Sequence, residues 1–169
     1  MMATIVVRSA RTEDVRAIRR LIAEYSPDGH LLAKAPVTLF EDIQEFVVAE
    51  VDGHVVGCGA LHVMWEDLAE VRTLAVAGQY LRRGIGSKVL AELLERARRV
   101  GVRRVFCLTF MVGFFAEHGF TEIDEAPVDH EVYEQLLQSY DEGVAEFLGL
   151  ERVKPNTLGN HRMLLDLRY

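Results

Sequence analysis

The feature that most restricts the fold is a pair of β-forming runs set around a two-residue turn. Residues 46–51 read FVVAEV and residues 54–64 read HVVGCGALHVM, with Asp52-Gly53 between them. Both runs are rich in β-branched and apolar side chains, and Asp-Gly tolerates the positive backbone angles that a tight hairpin turn needs. An antiparallel hairpin is therefore expected. A third strand is expected over Ala69 to Val76, with Val71, Thr73 and Ala75 on one face and Glu70, Arg72, Leu74 and Val76 on the other. From Ile85 onward Val89, Leu90, Leu93, Leu94, Ala97 and Val100 recur at helical spacing, which predicts a long amphipathic helix stopped by Gly101.

The other segments alternate. Ile5 to Val7 predicts a strand, and Thr12 is the expected cap of a helix carrying Val15, Ile18, Leu21 and Ile22, which ends at Ser26-Pro27-Asp28-Gly29. A short helix after Pro36 would present Leu39, Phe40, Ile43 and Phe46 as its stripe. Further on, VRRVFCLTF (102–110) reads as a buried strand, Phe114 to His118 as a short helix closed by Gly119, and FTEI (120–123) as a strand. Residues 129–148 predict one amphipathic helix with Val132, Leu136, Leu137, Val144 and Phe147; Pro155 to Asn160 reads as a loop and Met163 to Leu167 as a last strand. This order implies an α/β or α+β fold, a mixed sheet with helices on its faces, in a single domain over residues 1–169. An apolar fraction of 50% is enough for its core. No run approaches a membrane span, the first residues lack a secretory h-region and the last ones a lipidation signal, so the expected location is cytoplasmic.

The net charge is −7, which argues against a nucleic-acid partner. That average hides a contrast. Between Arg72 and Arg104 nine basic residues stand against Glu92 and Glu95, while the rest of the chain has 10 basic and 24 acidic residues. One segment is thus polarised for an anion. Cys58 and Cys107 lie among apolar residues without C-x-x-C spacing, so zinc and redox motifs are absent, no metal is expected, and both read as buried strand residues. No histidine (His30, His54, His62, His118, His130, His161) is paired with either cysteine by sequence.

Within the positive segment, the expected strand and helix are joined by a loop ending R-R-G-I-G-S. Glycines let backbone approach a ligand, the first turn of a helix presents N–H groups and a positive dipole end, and Arg82, Arg83 and Lys88 add full charges. A bland turn is the alternative reading. The chain has neither the G-x-x-x-x-G-K-[ST] of a P-loop nor a full dinucleotide G-x-G-x-x-G, which argues against a nucleotide triphosphatase or a dehydrogenase.

Leu74-Ala75-Val76 followed by Gly84-Ile85-Gly86 resembles the central motif of the GNAT superfamily of acetyl-coenzyme A-dependent N-acetyltransferases. The resemblance covers nearly the whole chain and implies a mixed, mostly antiparallel central sheet flanked by helices. Two positions depart from the motif: Leu81 replaces the usual Arg or Gln, and Arg82 replaces a glycine. By this resemblance acetyl-coenzyme A is the co-substrate. Leu74, Ala75 and Val76 would align its acetyl and pantetheine arm, and Arg82, Arg83, Gly84, Ile85, Gly86 and Ser87 would cradle its pyrophosphate. The stretches LLAK (31–34), DLAEVRTLAV (67–76), VFCLTFMVGFFAEHGFTEI (105–123) and VKPNTLGNHRMLL (153–165) are similar to short amino-acid N-acetyltransferases of the N-acetylglutamate synthase type, which open arginine biosynthesis. The amino-acid-kinase-like domain of longer synthases has no counterpart in these residues, so arginine feedback seated in such a domain is not expected.

Acetyl transfer needs a neutral amine, and a carboxylate commonly takes the proton through ordered water. The resemblance puts Glu70 in that role, the alternative being an exposed strand-end acid. A strand N–H near Leu74 or Ala75 would polarise the thioester oxygen. Many relatives place a tyrosine acid on the short late helix, where this chain has Phe115; Tyr133 and Tyr140 are alternatives in name only, and His118 is expected to help terminate its helix. Recognition of an acceptor's carboxylates falls to Lys34, Arg72 and Arg162, with Thr109 for the α-carboxylate, each with a solvated or strand-end reading beside it. Arg96, Arg98, Arg99, Arg103 and Arg104 read as an exposed helix face and its exit, with contact to the coenzyme 3′-phosphate as the alternative. The leading expectation is an enzyme acting on glutamate or glutamine. Behind it stand a transferase for another amine, such as a peptide N-terminus or a polyamine, and a non-catalytic acyl-coenzyme A sensor. The expected partner is a small molecule, neither nucleic acid nor membrane, with a homodimer left open.

Overall fold

Asp52 and Gly53 both take left-handed backbone angles, φ 52° and 78°, the geometry that lets a two-residue turn follow the twist of the strands it joins. The strands on either side are β2 (Phe46–Val51) and β3 (His54–Trp65), paired antiparallel with Val51 opposite His54. The expected hairpin is present. The structure, a computed structural model, describes residues 3–26, 34–149 and 160–167. Most of the expected turn at 26–29, most of LLAK and the loop at 155–160 apart from Asn160 lie outside the described residues.

The other strands are β1 (Ile5–Ser9), β4 (Leu68–Val76), β5 (Arg104–Thr109), β6 (Thr121–Ile123) and β7 (His161–Asp166). The helices are α1 (Val15–Tyr25), α2 (Pro36–Glu41), α3 (Ile85–Val100), α4 (Val112–Glu117), α5 (His130–Leu136) and α6 (Glu142–Leu148). Seven strands form one sheet in the order β1-β2-β3-β4-β5-β7-β6, mostly antiparallel, with β4 and β5 parallel. This is the mixed α/β architecture expected. The chain divides into two compact units, one of residues 1–62 and 71–100, the other of residues 63–70 and 101–169.

In the first unit, Val15, Ile18, Leu21 and Ile22 of α1 and Leu39 of α2 pack on Phe46, Val48, Cys58, Ala60 and Ala75 of the sheet. Thr12 is not the cap. It opens a 3-10 turn, Thr12–Asp14, and the carboxylate of Asp14 reaches back to accept the Arg11 N–H at 2.7 Å. Arg8 on β1 grips both oxygens of Asp14, at 2.8 and 2.9 Å, and also donates to Glu50 at 2.6 Å, so a cation selects Asp14 over Thr12. The helix after Pro36 is also shorter than its expected stripe. It ends at Glu41, Ile43 is buried from a following 3-10 turn, Phe46 opens β2, and Phe40 is 49% exposed. Asp42, with φ −96° and ψ 8°, breaks the helical path there.

In the second unit, β5 pairs in parallel with the start of β4, setting Glu70 beside Phe106, and antiparallel with β7. The expected single helix over 129–148 is two. Asp129 caps α5 by accepting the Val132 N–H, and Asp141 caps α6 by accepting the Val144 N–H, both at 2.9 Å. A second cap offers the backbone an alternative to continuing the first helix, and Tyr140 between them is 98% exposed. Leu136, Val144, Phe147 and Leu148 then close over Met64, Leu68 and Phe106.

The Arg8 guanidinium holds the Asp14 carboxyl below the usual carboxylate range. Stability from ionised Asp14 is therefore complete above the unfolded-state pKa, about 3.9, and is lost as pH falls through the lower folded-state value. Asp14→Asn should cost about 2 kcal/mol at neutral pH and flatten the acid limb of a stability profile measured by urea unfolding.

Candidate functional site

Strand β4 does not keep a regular alternation. Thr73, buried and β-branched, has φ 55°, where such residues are genuine outliers. The expected two-faced pattern is interrupted at that residue. The Cys58 thiol on β3 donates to the Thr73 carbonyl at 3.3 Å. Burial pushes that thiol up to about 12, against the opposing charge of Lys34, so it stays a donor. Both cysteines are the buried strand residues expected, and burial together with the charge of Glu70 pushes Cys107 up as well. The same influence puts Lys34 within electrostatic reach of Cys58, while Arg72, just before Thr73, is half-buried. Past Thr73, Ala75 lies in the α1 and α2 core, and Leu74 lies beside Val89 and Leu93 of α3.

The chain leaves β4 at Val76, makes a 3-10 turn over Gly78–Tyr80 and enters α3 at Ile85. The Lys88 N–H donates to the Gly84 carbonyl at 3.1 Å, and no acidic side chain occupies the first turn of the helix. The positive end of the helix dipole thus carries no compensating acid in its first turn, and Arg82, Arg83 and Lys88 are exposed beside it. The Arg83 guanidinium carbon stands 5.1 Å from the centre of the Tyr80 ring, which steers one of these cations. Arg82 has φ 63°, the angle that a glycine takes freely, and it is the residue that stands in place of the motif's glycine.

Two glycines unremarked in the sequence set the height of α3. A Cβ on Gly57 would meet Ile85 Cγ2 at 2.9 Å, and one on Gly59 would meet both Leu93 Cδ1 and Val89 Cγ1 at 2.9 Å. The pattern GCG within a β run was the available signal: a bare backbone facing a helix. Arg82 to Ser87 and Leu74 to Val76 lie in the same unit.

In the second unit Glu70 is 4% exposed, which removes its exposed strand-end reading. It sits in register with Phe106, on the sheet face that α5 and α6 cover. The Arg162 guanidinium lies 5.8 Å from the Phe106 ring centre and donates to the carbonyls of Phe147 at 2.6 Å and Glu146 at 3.4 Å. It therefore closes the C-terminus of α6, a role that sequence reasoning missed, and this uses two of its five donors. Burial lowers its pKa, while Glu70 and Glu146 favour its charge. Thr109 ends β5 and its hydroxyl oxygen accepts the Met111 N–H at 2.8 Å. Phe115 is buried edge-on to Phe114 and Phe120, an apolar position with no proton to give. His118 is the C-cap of α4, as expected.

The arginines of α3 and its exit are held by protein partners. Arg96 donates to the Ser9 hydroxyl at 2.6 Å, Arg98 pairs with Glu95 and Arg99 with Glu92, Arg103 with Asp166, and Arg104 with Asp67 and the Pro127 carbonyl. Among the described residues no three His, Cys, Asp or Glu side chains gather as metal ligands do, and no helix is long and apolar enough to cross a membrane.

A family model for GNAT acetyltransferases matches residues 15–120. The chain belongs to the GNAT acetyltransferase family. It is 55% identical over 165 residues, 96% of its length and 94% of the relative's, to an amino-acid acetyltransferase of Mycobacterium tuberculosis. A crystal structure of an M. tuberculosis protein in complex with CoA and NLQ superposes with a TM-score of 0.93, at 55% identity over 96% of this chain and 99% of that one. The N-acetylglutamate synthase of Neisseria gonorrhoeae, complexed with coenzyme A and N-acetyl-glutamate, superposes with a TM-score of 0.79 at 26% identity, covering all of this chain and 36% of that one. The protein is an acyltransferase that uses acetyl-coenzyme A.

Two outcomes follow for a GNAT enzyme built this way. Arg82→Gly relieves a left-handed angle and should raise unfolding stability by about 0.5–1 kcal/mol, while the loss of a cation weakens coenzyme A binding in calorimetry. Both thiols, held high by burial, should resist a disulfide reagent at pH 8 in the native protein and react at two equivalents in denaturant.

Proposed function

We propose that the protein transfers the acetyl group of acetyl-coenzyme A to the α-amino group of a free amino acid, L-glutamate or glutamine, the first step of arginine biosynthesis in the cytoplasm. The observation that carries this reading is the buried carboxylate of Glu70 with the desolvated cation of Arg162 in its field. Such a pair offers a proton acceptor beside a group that recognises carboxylates. The 55% identity to an amino-acid acetyltransferase supports an amino-acid acceptor.

In this mechanism Glu70 takes a proton from the acceptor ammonium, directly or through water. The freed amine attacks the thioester carbonyl, a C–N bond forms, and the C–S bond breaks. Leu74 donates its backbone N–H to the thioester oxygen, the Ala75 N–H being directed at the Cys58 sulfur; Leu74 to Val76 align the pantetheine arm, and the first turn of α3 with Arg82 to Ser87 holds the pyrophosphate. The second proton of the attacking nitrogen, shed as the amide forms, passes through water to the departing thiolate, since Phe115 has no hydroxyl to give one. Arg162 with its remaining donors, Arg72 and Lys34 bind the acceptor's carboxylates, and the Thr109 hydroxyl, whose oxygen already accepts from Met111, donates its proton to the α-carboxylate. A polyamine would want acids where these cations stand.

Free thiol release from acetyl-coenzyme A should appear with glutamate or glutamine and not with polyamines or a peptide N-terminus. No turnover with either amino acid would sink the proposal, and coenzyme binding without any turnover would favour a sensor. Glu70→Gln should lower kcat about 10²–10⁴-fold with the coenzyme Kd unchanged; full activity at neutral pH would remove Glu70 from the base role.

A further inference from the structure

The point where β4 hands over to the glycine loop is held at three consecutive residues. The Val76 carbonyl accepts the hydroxyl of Tyr25, the Ala77 N–H donates to the Val56 carbonyl of β3 at 2.8 Å, and the Gly78 N–H donates to the Glu24 carboxylate at 3.1 Å. Two of the three partners are the last residues of α1. The Gly78 bond is exposed, whereas that of Tyr25 is half-buried on the rim of the α1 core, where desolvation and the neighbouring Glu24 anion keep the phenol protonated and able to donate. Beyond Gly78 the 3-10 turn runs to Tyr80, whose ring carries Arg83, so the direction in which the chain leaves Val76 sets where that cation and the start of α3 lie.

We propose that Tyr25, assisted by Glu24, is a positioning residue for coenzyme binding: the end of α1 latches the exit of β4, so that the loop and the first turn of α3 stand pre-arranged for a pyrophosphate. This rests on the reading that Arg82 to Ser87 hold that group. Without the latch the junction keeps only its bond to β3 and samples other exits, and the ordering must be done at the moment of binding.

Tyr25→Phe keeps the ring in its packing and removes only the donor. Its expected effect is a rise of about three- to tenfold in the coenzyme A Kd measured by calorimetry, and in the acetyl-coenzyme A KM, with kcat and the acceptor KM within about twofold. Glu24→Ala should show a smaller shift in the same direction, and Glu24→Gln, which retains a carbonyl acceptor, should restore wild-type affinity. A Tyr25→Phe protein that is less stable but binds coenzyme A normally would overturn the inference and leave a structural hydrogen bond only. Gly86→Asp, which sets a carboxylate in the first turn of α3, separates the two readings. If it abolishes coenzyme binding while Tyr25→Phe does nothing, the loop reading stands and the latch falls; if it leaves binding intact, the loop reading falls and takes the latch with it.

Discussion

The left-handed backbone of Thr73 is the constraint around which strand β4 is divided. A β-branched residue in that conformation costs about 1–3 kcal/mol and persists only if its surroundings over-determine it. Here the buried Cys58 thiol donates to the Thr73 carbonyl, which satisfies that oxygen. Residues on either side of Thr73 then serve different packing. Glu70 is enclosed in the unit of α5 and α6, whereas Leu74 to Val76 belong to the unit of α1 and α3. In the proposed reaction a single strand thereby carries a proton acceptor at one end and backbone donors for a thioester at the other.

The second requirement is a helix start that can approach backbone closely. Gly57 and Gly59 lower α3 onto β3, and the absence of any acid in its first turn keeps the dipole end positive. Local charge follows the same division. Arg98 and Arg99 are balanced by Glu95 and Glu92, and Arg96 is held by Ser9 and Gln44, so the helix contributes packing and ion pairs. Arg82, Arg83 and Lys88 are the exposed cations set around the helix start. A positive stretch of sequence thus resolves into a part held in ion pairs and a part exposed at a helix start, within a chain of net charge −7.

In the proposed reaction the acceptor meets residues that the fold already holds. Arg162 closes α6 through two backbone carbonyls and lies against Phe106, yet it retains further donors and feels the charge of Glu70. The guanidinium is therefore fixed by the fold before any substrate arrives, which limits the entropy lost on binding. Thr109 is used in the same double way, its oxygen turning the chain at Met111 while its proton remains to be donated.

What could be read in advance was what neighbouring residues decide between themselves. The β2–β3 hairpin was legible because Asp52-Gly53 prescribes its own turn, α3 because its apolar residues recur every three or four positions, and the glycine loop because its motif is contiguous. The split between α5 and α6 was also encoded locally, in the capping chemistry of Asp141 and in the gap in the apolar stripe between Leu137 and Val144. Tertiary structure alone decided the rest. The insertion of β7 between β5 and β6, the left-handed Thr73 beneath Cys58 and the docking of Arg162 on α6 each join residues from different elements of the chain. No local propensity records such contacts, because their free energy exists only once the partner segment has been packed into place.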